Sequence, residues 1–335
     1  MNKVMKYFNN YIDKKYPLTF FDVGAMGGIP EKWKVLSDVI NVVAFEPDER
    51  EFVKLKNNKN INYYNLFLYG ESVDITYFIS KEPGKSSVLR PNIDLMSKFV
   101  NSERFSTIKE EKIPSRKVSS LDVVVSNNEI LDIDFIKLDT QGSELFILQG
   151  GVDKALPKLF GMQIEVEFIE MYKDQPMFRD VDVFLNKQGF QLIDLRRFYN
   201  KRNGYSKYFG KGQLIFGDGL YFKKIDVMYK EFEKVGDKSY VVSKIIKSII
   251  VCLVYNMMDY AVDIATLGFE HGYLKKEDFD VVIKRIKSHK TNKLLNSIIF
   301  NKKFNSLLRL LRFQSIIKLD WEYASDKDIG NTRDV

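Results

Sequence analysis

What this 335-residue chain lacks narrows what it can be. It has one cysteine, Cys252, so no intramolecular disulfide can form, and a reducing, cytoplasmic setting is expected. Cys252 sits in the apolar run Ile249–Val254, where packing suits it better than nucleophilic catalysis. The two histidines, His271 and His289, both fall in the C-terminal part. Chemistry in the N-terminal part is therefore left to carboxylates unless the C-terminal part folds over it. There is no apolar segment near the N-terminus, so no secretory signal is expected. A membrane span is not expected either. The most lipid-like stretch, Ile245 to Val262, contains Lys247 and Asp259, and its charge-free core is about 11 residues where a span needs about 20. Internal repeats and low-complexity tracts are absent, and no proline occurs after residue 224.

What is present describes a folded protein. The chain is 45% hydrophobic and 29% charged, which argues against overall disorder, and its length allows one large domain and a smaller one. The net charge of +7 is unevenly spread. Val281 to Leu319 carries Lys284, Arg285, Lys287, Lys290, Lys293, Lys302, Lys303, Arg309, Arg312 and Lys318 without one acid.

Short apolar runs alternate with helical patterns through the first two-thirds. Leu18 to Gly24, Val42 to Glu46, Ile61 to Leu68, Asp134 to Asp139 and Gly161 to Phe168 read as strands, and Asp74 to Ser80 as a following hairpin strand. Glu31 to Ile40, Glu49 to Asn57, Ser143 to Gln149 and Val181 to Gln188 read as helices. Pro83 to Pro114 fits either a loop capping a site or a surface excursion. Phe190 to Leu195 and Gln213 to Phe222, joined with little room for a helix, suggest an antiparallel edge. The pattern predicts a doubly wound, mostly parallel α/β sheet over residues 1–224 and a helical, basic region over 225–335. The region after 225 is expected to form amphipathic helices, and 325–335 a frayed tail.

Three places concentrate chemistry. In Asp22-Val23-Gly24-Ala25-Met26-Gly27-Gly28, a glycine turn follows the first strand and brings backbone close to a ligand. Met26 and Ile29 occupy the second and third glycine positions of a dinucleotide-binding loop, so that pattern fails. A carboxylate two residues before the first glycine suits a cationic amino-acid ligand such as that of S-adenosylmethionine. Glu46, ending the second strand before Pro47, can accept from both hydroxyls of a ribose. Asp139 ends the next central strand and should face the same crevice. Glu165 and Glu167, two apart on a neighbouring strand, share a face. Buried acids there are either paired, with Lys137, Arg179 or Arg196 as candidates, or act as a base toward an acceptor hydroxyl. No metal ligands are assigned, although Asp139, Glu165 and Glu167 are also a set that could hold a divalent ion.

Taken together, these segments resemble the FkbM family of S-adenosylmethionine-dependent methyltransferases. The resemblance runs over residues 17–224. It is carried by Phe21-Asp22-Val23-Gly24-Ala25, Ala44-Phe45-Glu46-Pro47-Asp48, Ser86-Ser87-Val88-Leu89 and above all Phe135 to Leu145. Glu165 to Phe168, Tyr172, Gln175 to Phe178, Asp182, Gly189-Phe190, Gln213-Leu214 and Leu220-Tyr221 extend it. It implies a class I methyltransferase fold, cofactor binding by Asp22, Gly24, Ala25, Gly28, Glu46 and Pro47, and a place for Asp139 near the transferred methyl. Many relatives have Asn where this chain has Met26. The family's association with O-methylation implies a hydroxyl acceptor on a sugar, surface glycan or natural product. Two other classes compete with this reading: a non-catalytic binding protein on the same scaffold, and a nicotinamide-dependent oxidoreductase.

The C-terminal region lies outside the resemblance. Leu294-Leu295, Ile298-Ile299, Leu307-Leu308, Leu310-Leu311 and Ile316-Ile317 recur with cations between them. They fit a solvated helical subdomain, a surface peripheral to anionic membrane at its inner face, or a docking site for a protein partner. No recognition module accompanies the charge, so nucleic acid is not an expected partner.

Overall fold

The computed structural model describes residues 15–34, 36, 40–127, 132–204 and 211–284. A seven-stranded sheet forms its centre. Its strands are β1 (Leu18–Val23), β2 (Ile40–Phe45), β3 (Ile61–Tyr64), β8 (Phe135–Leu138), β9 (Gly161–Glu167), β10 (Phe190–Asn200) and β11 (Gln213–Lys223), in the order β10-β11-β9-β8-β1-β2-β3. Pairing is parallel from β3 to β9. β11 runs antiparallel to both β9 and β10. The expected antiparallel pairing is present, with β11 one place in from the edge.

Alternation along each strand builds two cores. Leu18 and Phe20 of β1, Val42 and Ala44 of β2 and Phe135 of β8 face one side; Phe21, Val23, Val43, Phe45, Ile136 and Leu138 face the other. Helices Leu121–Asn127, Glu144–Gln149 and Phe178–Lys187 cover the second side. The first side is covered by Trp33 and by helices Ile225–Phe232, Lys238–Val254 and Met258–Glu270. Residues on both sides of position 225 thus share one core. Helix Lys238–Val254 is not amphipathic as expected: from Ser243 to Val254 every residue is buried, because the helix is sandwiched in the core. The apolar run Ile245 to Val262 spans two helices with a break at 255–257, and no helix among the described residues is long and apolar enough to cross a membrane. The basic stretch after Lys284, the paired leucines and isoleucines, His289 and the tail lie outside the described residues.

Local departures from the sequence reading have local causes. Ile40 opens β2 instead of ending a helix, and the described part of the preceding helix is only Glu31–Lys34. The helix from Glu49 stops at Phe52. Just beyond it, the side chains of Asn57 and Asn58 accept from the backbone N–H groups of Tyr63 and Asn60, an alternative to further helical turns. The stretch Ile61 to Leu68 is two strands: β4 (Phe67–Leu68) leaves the main sheet and pairs with β7 (Val118–Ser119). The strand β5 (Ile75–Ser80) makes its hairpin with β6 (Thr107–Ile113), not with β3.

Candidate active site

A cavity of about 1120 Å3 opens at the C-terminal ends of β1, β2, β8 and β9. There β1 is flanked by β2 on one side and β8 on the other, and the strand order reverses. Such switch points are where open α/β sheets bind ligands. Gly24, Glu46, Pro47, Asp139 and Glu165 line the cavity; Asp22, Ala25, Gly28 and Glu167 do not.

The glycine turn explains part of this division. Gly24 has φ +79°, and a Cβ there would lie 2.0 Å from the Asp139 carbonyl oxygen, so only glycine lets β1 leave the sheet against the end of β8. The N–H groups of Gly24 and Ala25 both donate to the Phe45 carbonyl at 3.0 Å. They tie β1 to β2 and are not turned toward a ligand. Ala25 is buried in the core, and Gly28 packs near the Tyr63 hydroxyl.

Asp22 and Lys137 are cross-strand neighbours. The Lys137 ammonium lies 3.6 Å from Asp22 and 3.5 Å from Asp139, so Asp22 already faces a cation from within the protein. Burial still pushes the Asp22 carboxyl up to about 6 against the pull of Lys137, and its Oδ1 accepts no hydrogen bond.

Glu46 is 5% exposed at the end of β2. One oxygen accepts from the Asp48 N–H at 2.9 Å. Burial pushes its carboxyl up to about 7, with Asp48, Glu51 and Asp22 adding to the shift. Asp48 itself is clamped by Arg50, whose guanidinium also reaches the Ser80 carbonyl and the Ser86 hydroxyl.

At the end of β8, 38% of the Asp139 side chain is open. Burial alone would raise its pKa; Lys137, Lys85 and a hydrogen bond from Gln141 outweigh it and hold the carboxyl below its usual range. Gln141 organises this end of the cavity. Its amide nitrogen donates to Asp139 at 3.0 Å and to Glu165 at 2.6 Å; its amide oxygen accepts from Lys85 at 2.9 Å and from the Tyr172 hydroxyl at 3.0 Å. The backbone of Gln141 is left-handed, with φ +60°, a strained conformation that these partners hold in place. The Ser87 hydroxyl donates to its carbonyl at 2.8 Å.

Sequence reasoning named Gln141 only as the neighbour of Asp139 and did not assign Glu144 a role. Glu144 accepts from the Thr140 N–H at 2.6 Å and the Gly142 N–H at 2.9 Å, and it lies with Glu165 and Glu167 in one buried cluster. Burial pushes Glu144 up to about 7, and Glu165 and Glu167 well above the usual carboxylate range. The pairings considered for these acids form elsewhere: Lys137 with Asp22 and Asp139, Arg179 with Asp180, Arg196 with Asp218. The signal for Gln141 was its place one residue before a glycine at a strand end. Nothing local marked the approach of Glu144 to β9.

Two further walls complete the cavity. Glu82 and residues Pro83 to Val88, the start of the stretch that is ambiguous in sequence, form one of them, and the rest of that stretch includes the hairpin strand β6. The other comes from β10 and β11 through Arg196, Phe198, Phe216 and Asp218. Phe198 and Phe216 stack with ring centroids 4.5 Å apart, and the Arg196 guanidinium lies 4.4 Å from the Phe198 ring. His271 packs beside Tyr229 and does not line the cavity.

A mostly parallel seven-stranded sheet, with one antiparallel strand and a cavity at its switch point, defines a class I methyltransferase fold. The model of the methyltransferase FkbM domain matches residues 22–192, just over half of the chain, and the protein belongs to that family. No curated protein matches it. Solved structures that it matches include a putative RNA methyltransferase from Pyrococcus horikoshii, 10% identical, covering 67% of this chain and 81% of that one at a TM-score of 0.28. TrmK from M. capricolum in complex with S-adenosyl-homocysteine is 10% identical, covering 84% and 96% at a TM-score of 0.29. Precorrin-6y C5,15-methyltransferase from Geobacter metallireducens is 10% identical, covering 66% and 88% at 0.27. Likeness this distant says nothing of what the present chain methylates.

Proposed function

We propose that this protein is a cytoplasmic S-adenosylmethionine-dependent O-methyltransferase acting on a hydroxyl of a sugar, surface glycan or natural product. The observation that carries the reading is that Glu46 and Asp139, from the ends of β2 and β8, line one cavity on either side of the Gly24 turn. The donor set fits the cofactor: a carboxylate with an oxygen to spare for ribose hydroxyls, and acids for a cationic ligand. When bound, S-adenosylmethionine supplies an electrophilic methyl group on a sulfonium.

This chain's own residues bind and align. Glu46 and Pro47 hold the cofactor's sugar end. Asp139, ionised and open to the cavity, faces the positive charge and takes the proton of the acceptor hydroxyl as the new bond forms. Gln141 fixes the direction of the Asp139 carboxylate. The stacked Phe198 and Phe216 offer an apolar wall against which a sugar ring can rest.

Calorimetry with S-adenosylmethionine and NAD tests the cofactor. Saturable binding of S-adenosylmethionine alone, weakened in Glu46→Ala, is expected; a folded protein that binds only NAD, or neither, refutes the proposal. Transfer of labelled methyl to saccharide hydroxyls should fall about 100-fold or more in Asp139→Asn with cofactor binding retained. Transfer confined to nitrogen or carbon acceptors would overturn the O-methylation reading.

A further inference from the structure

We infer that Glu144, Glu165 and Glu167 form a binding site for one hard divalent cation of the Mg2+, Mn2+ or Ca2+ class, beneath the floor of the cavity. Each of the three offers a carboxylate oxygen, and these oxygens all lie within 4.8 Å of one another. The side chains come from two elements that meet only in the fold, the helix Glu144–Gln149 and β9. All three residues are buried, at 2%, 4% and 1% exposure.

Acids gathered this way are not in themselves a site, and here a second observation points to a ligand. Glu167, one of the three, has a buried carboxylate oxygen, Oε1, with no hydrogen-bond partner among the described residues. A buried acceptor left without a donor is costly, and a cation in the cluster removes the cost. No side-chain cation pairs directly with the three among the described residues: Lys137 contacts Asp22 and Asp139, Arg196 contacts Asp218, and Lys85 bonds Gln141 while drawing on Glu165 and Glu167 only from a distance.

The other two carboxylates are held in position. Glu144 accepts from Thr140 and Gly142, and Glu165 accepts from Gln141 at 2.6 Å. Outer hydrogen bonds of this kind orient metal ligands. An all-oxygen, all-carboxylate set selects hard ions over zinc or copper. Glu165 alone of the three lines the cavity, so the ion's remaining positions would open there. Two neighbouring acceptor hydroxyls could fill them, and the ion would make the reacting hydroxyl more acidic. That role in catalysis rests on the methyltransferase reading; the site itself does not.

The test uses the full chain stripped with EDTA and titrated with Mn2+, the free ion being followed by electron paramagnetic resonance. One Mn2+ should bind per chain, with Mg2+ or Ca2+ competing. Glu167→Gln should weaken it about 10-fold or more, while Asp218→Asn, a cavity acid outside the cluster, should keep it. If Glu167→Gln does not fold, Glu167→Asp keeps the charge on a shorter arm and should still weaken Mn2+ several-fold. A folded wild type that binds no Mn2+, or binding unmoved by changes at Glu167, overturns the proposal. S-adenosylmethionine calorimetry on the stripped protein separates the two readings. Cofactor binding without Mn2+ binding sinks the ion site alone, and Mn2+ binding without cofactor binding sinks the methyltransferase reading alone.

Discussion

The two ends of β8 place buried acids in opposite circumstances. Just before the strand, Asp132 and Asp134 are 3% and 2% exposed, and two lysines of helix Lys238–Val254 neutralise them. Lys244 lies 2.8 Å from each acid, and Lys247 lies 2.9 Å from Asp134. Just after the strand, Asp139 shares Lys137 with Asp22, and the nearby Glu144, Glu165 and Glu167 have no ion-pair partner among the described residues. The first end is a closed electrostatic joint that fastens a C-terminal helix to the sheet. The second is left unbalanced beside a cavity. The acids at the first end are matched with cations; those at the second have no such partner, are pushed up by burial, and lie at or behind the cavity wall.

The largest effect is expected from breaking the matched end. Lys247→Met leaves Asp132 and Asp134 short of a cation in the core and should cost about 3–5 kcal/mol in chemical denaturation. A loss near zero would mean that Lys244 alone neutralises both acids. Next comes the Gly24 turn, which seats the end of β1 against the cavity end of β8. Gly24→Ala forces a side chain into the left-handed region and onto the Asp139 carbonyl, at a cost of about 3 kcal/mol, and it should abolish cofactor binding.

Glu46→Ala sharpens the comparison at the cavity end. It removes an acceptor that is charged above about pH 7 and, measured at pH 8, should weaken S-adenosylmethionine about 10- to 100-fold by calorimetry. The smallest expected effect is on stability, and there the two ends oppose each other in sign. Burial would raise Asp132, but Lys244 and Lys247 outweigh it and depress its pKa, so its contribution is present at neutral pH and lost on acidification. Glu46 is raised to about 7, so the folded state holds a proton that the unfolded chain releases near its ordinary value. Its contribution is full in mild acid and lost as pH rises through about 7. Melting curves of wild type and Glu46→Gln at pH 5 and pH 8 should therefore diverge in favour of the variant at pH 8. Equal differences at the two values would show that Glu46 is not the group responsible. Cofactor affinity should also rise with pH in wild type and lose that dependence in Glu46→Gln.

Much of this molecule is readable from its primary structure, for a physical reason: strand periodicity, glycine turns and acids at strand ends are local patterns. The alternation of Phe20 with Phe21, the need for glycine at position 24, and the places of Glu46 and Asp139 at strand ends follow from a few neighbouring residues. Burial of Cys252 is equally local, as it lies inside an apolar run and ends fully buried. What only the tertiary structure decided is which distant groups meet. Lys137 lies opposite Asp22 because β8 pairs with β1 in that register. Lys247, an oddity in an apolar run, is explained by acids 115 and 113 residues away. Helix Lys238–Val254 became a core layer and not an amphipathic surface because the sheet had a bare face to cover. Gln141 became the centre of a hydrogen-bond network, and Glu144 the partner of Glu165 and Glu167, through approaches between elements separated by long stretches of chain. Charge compensation is a property of three-dimensional neighbourhoods, so no local pattern could separate the acids that are matched from those that are not.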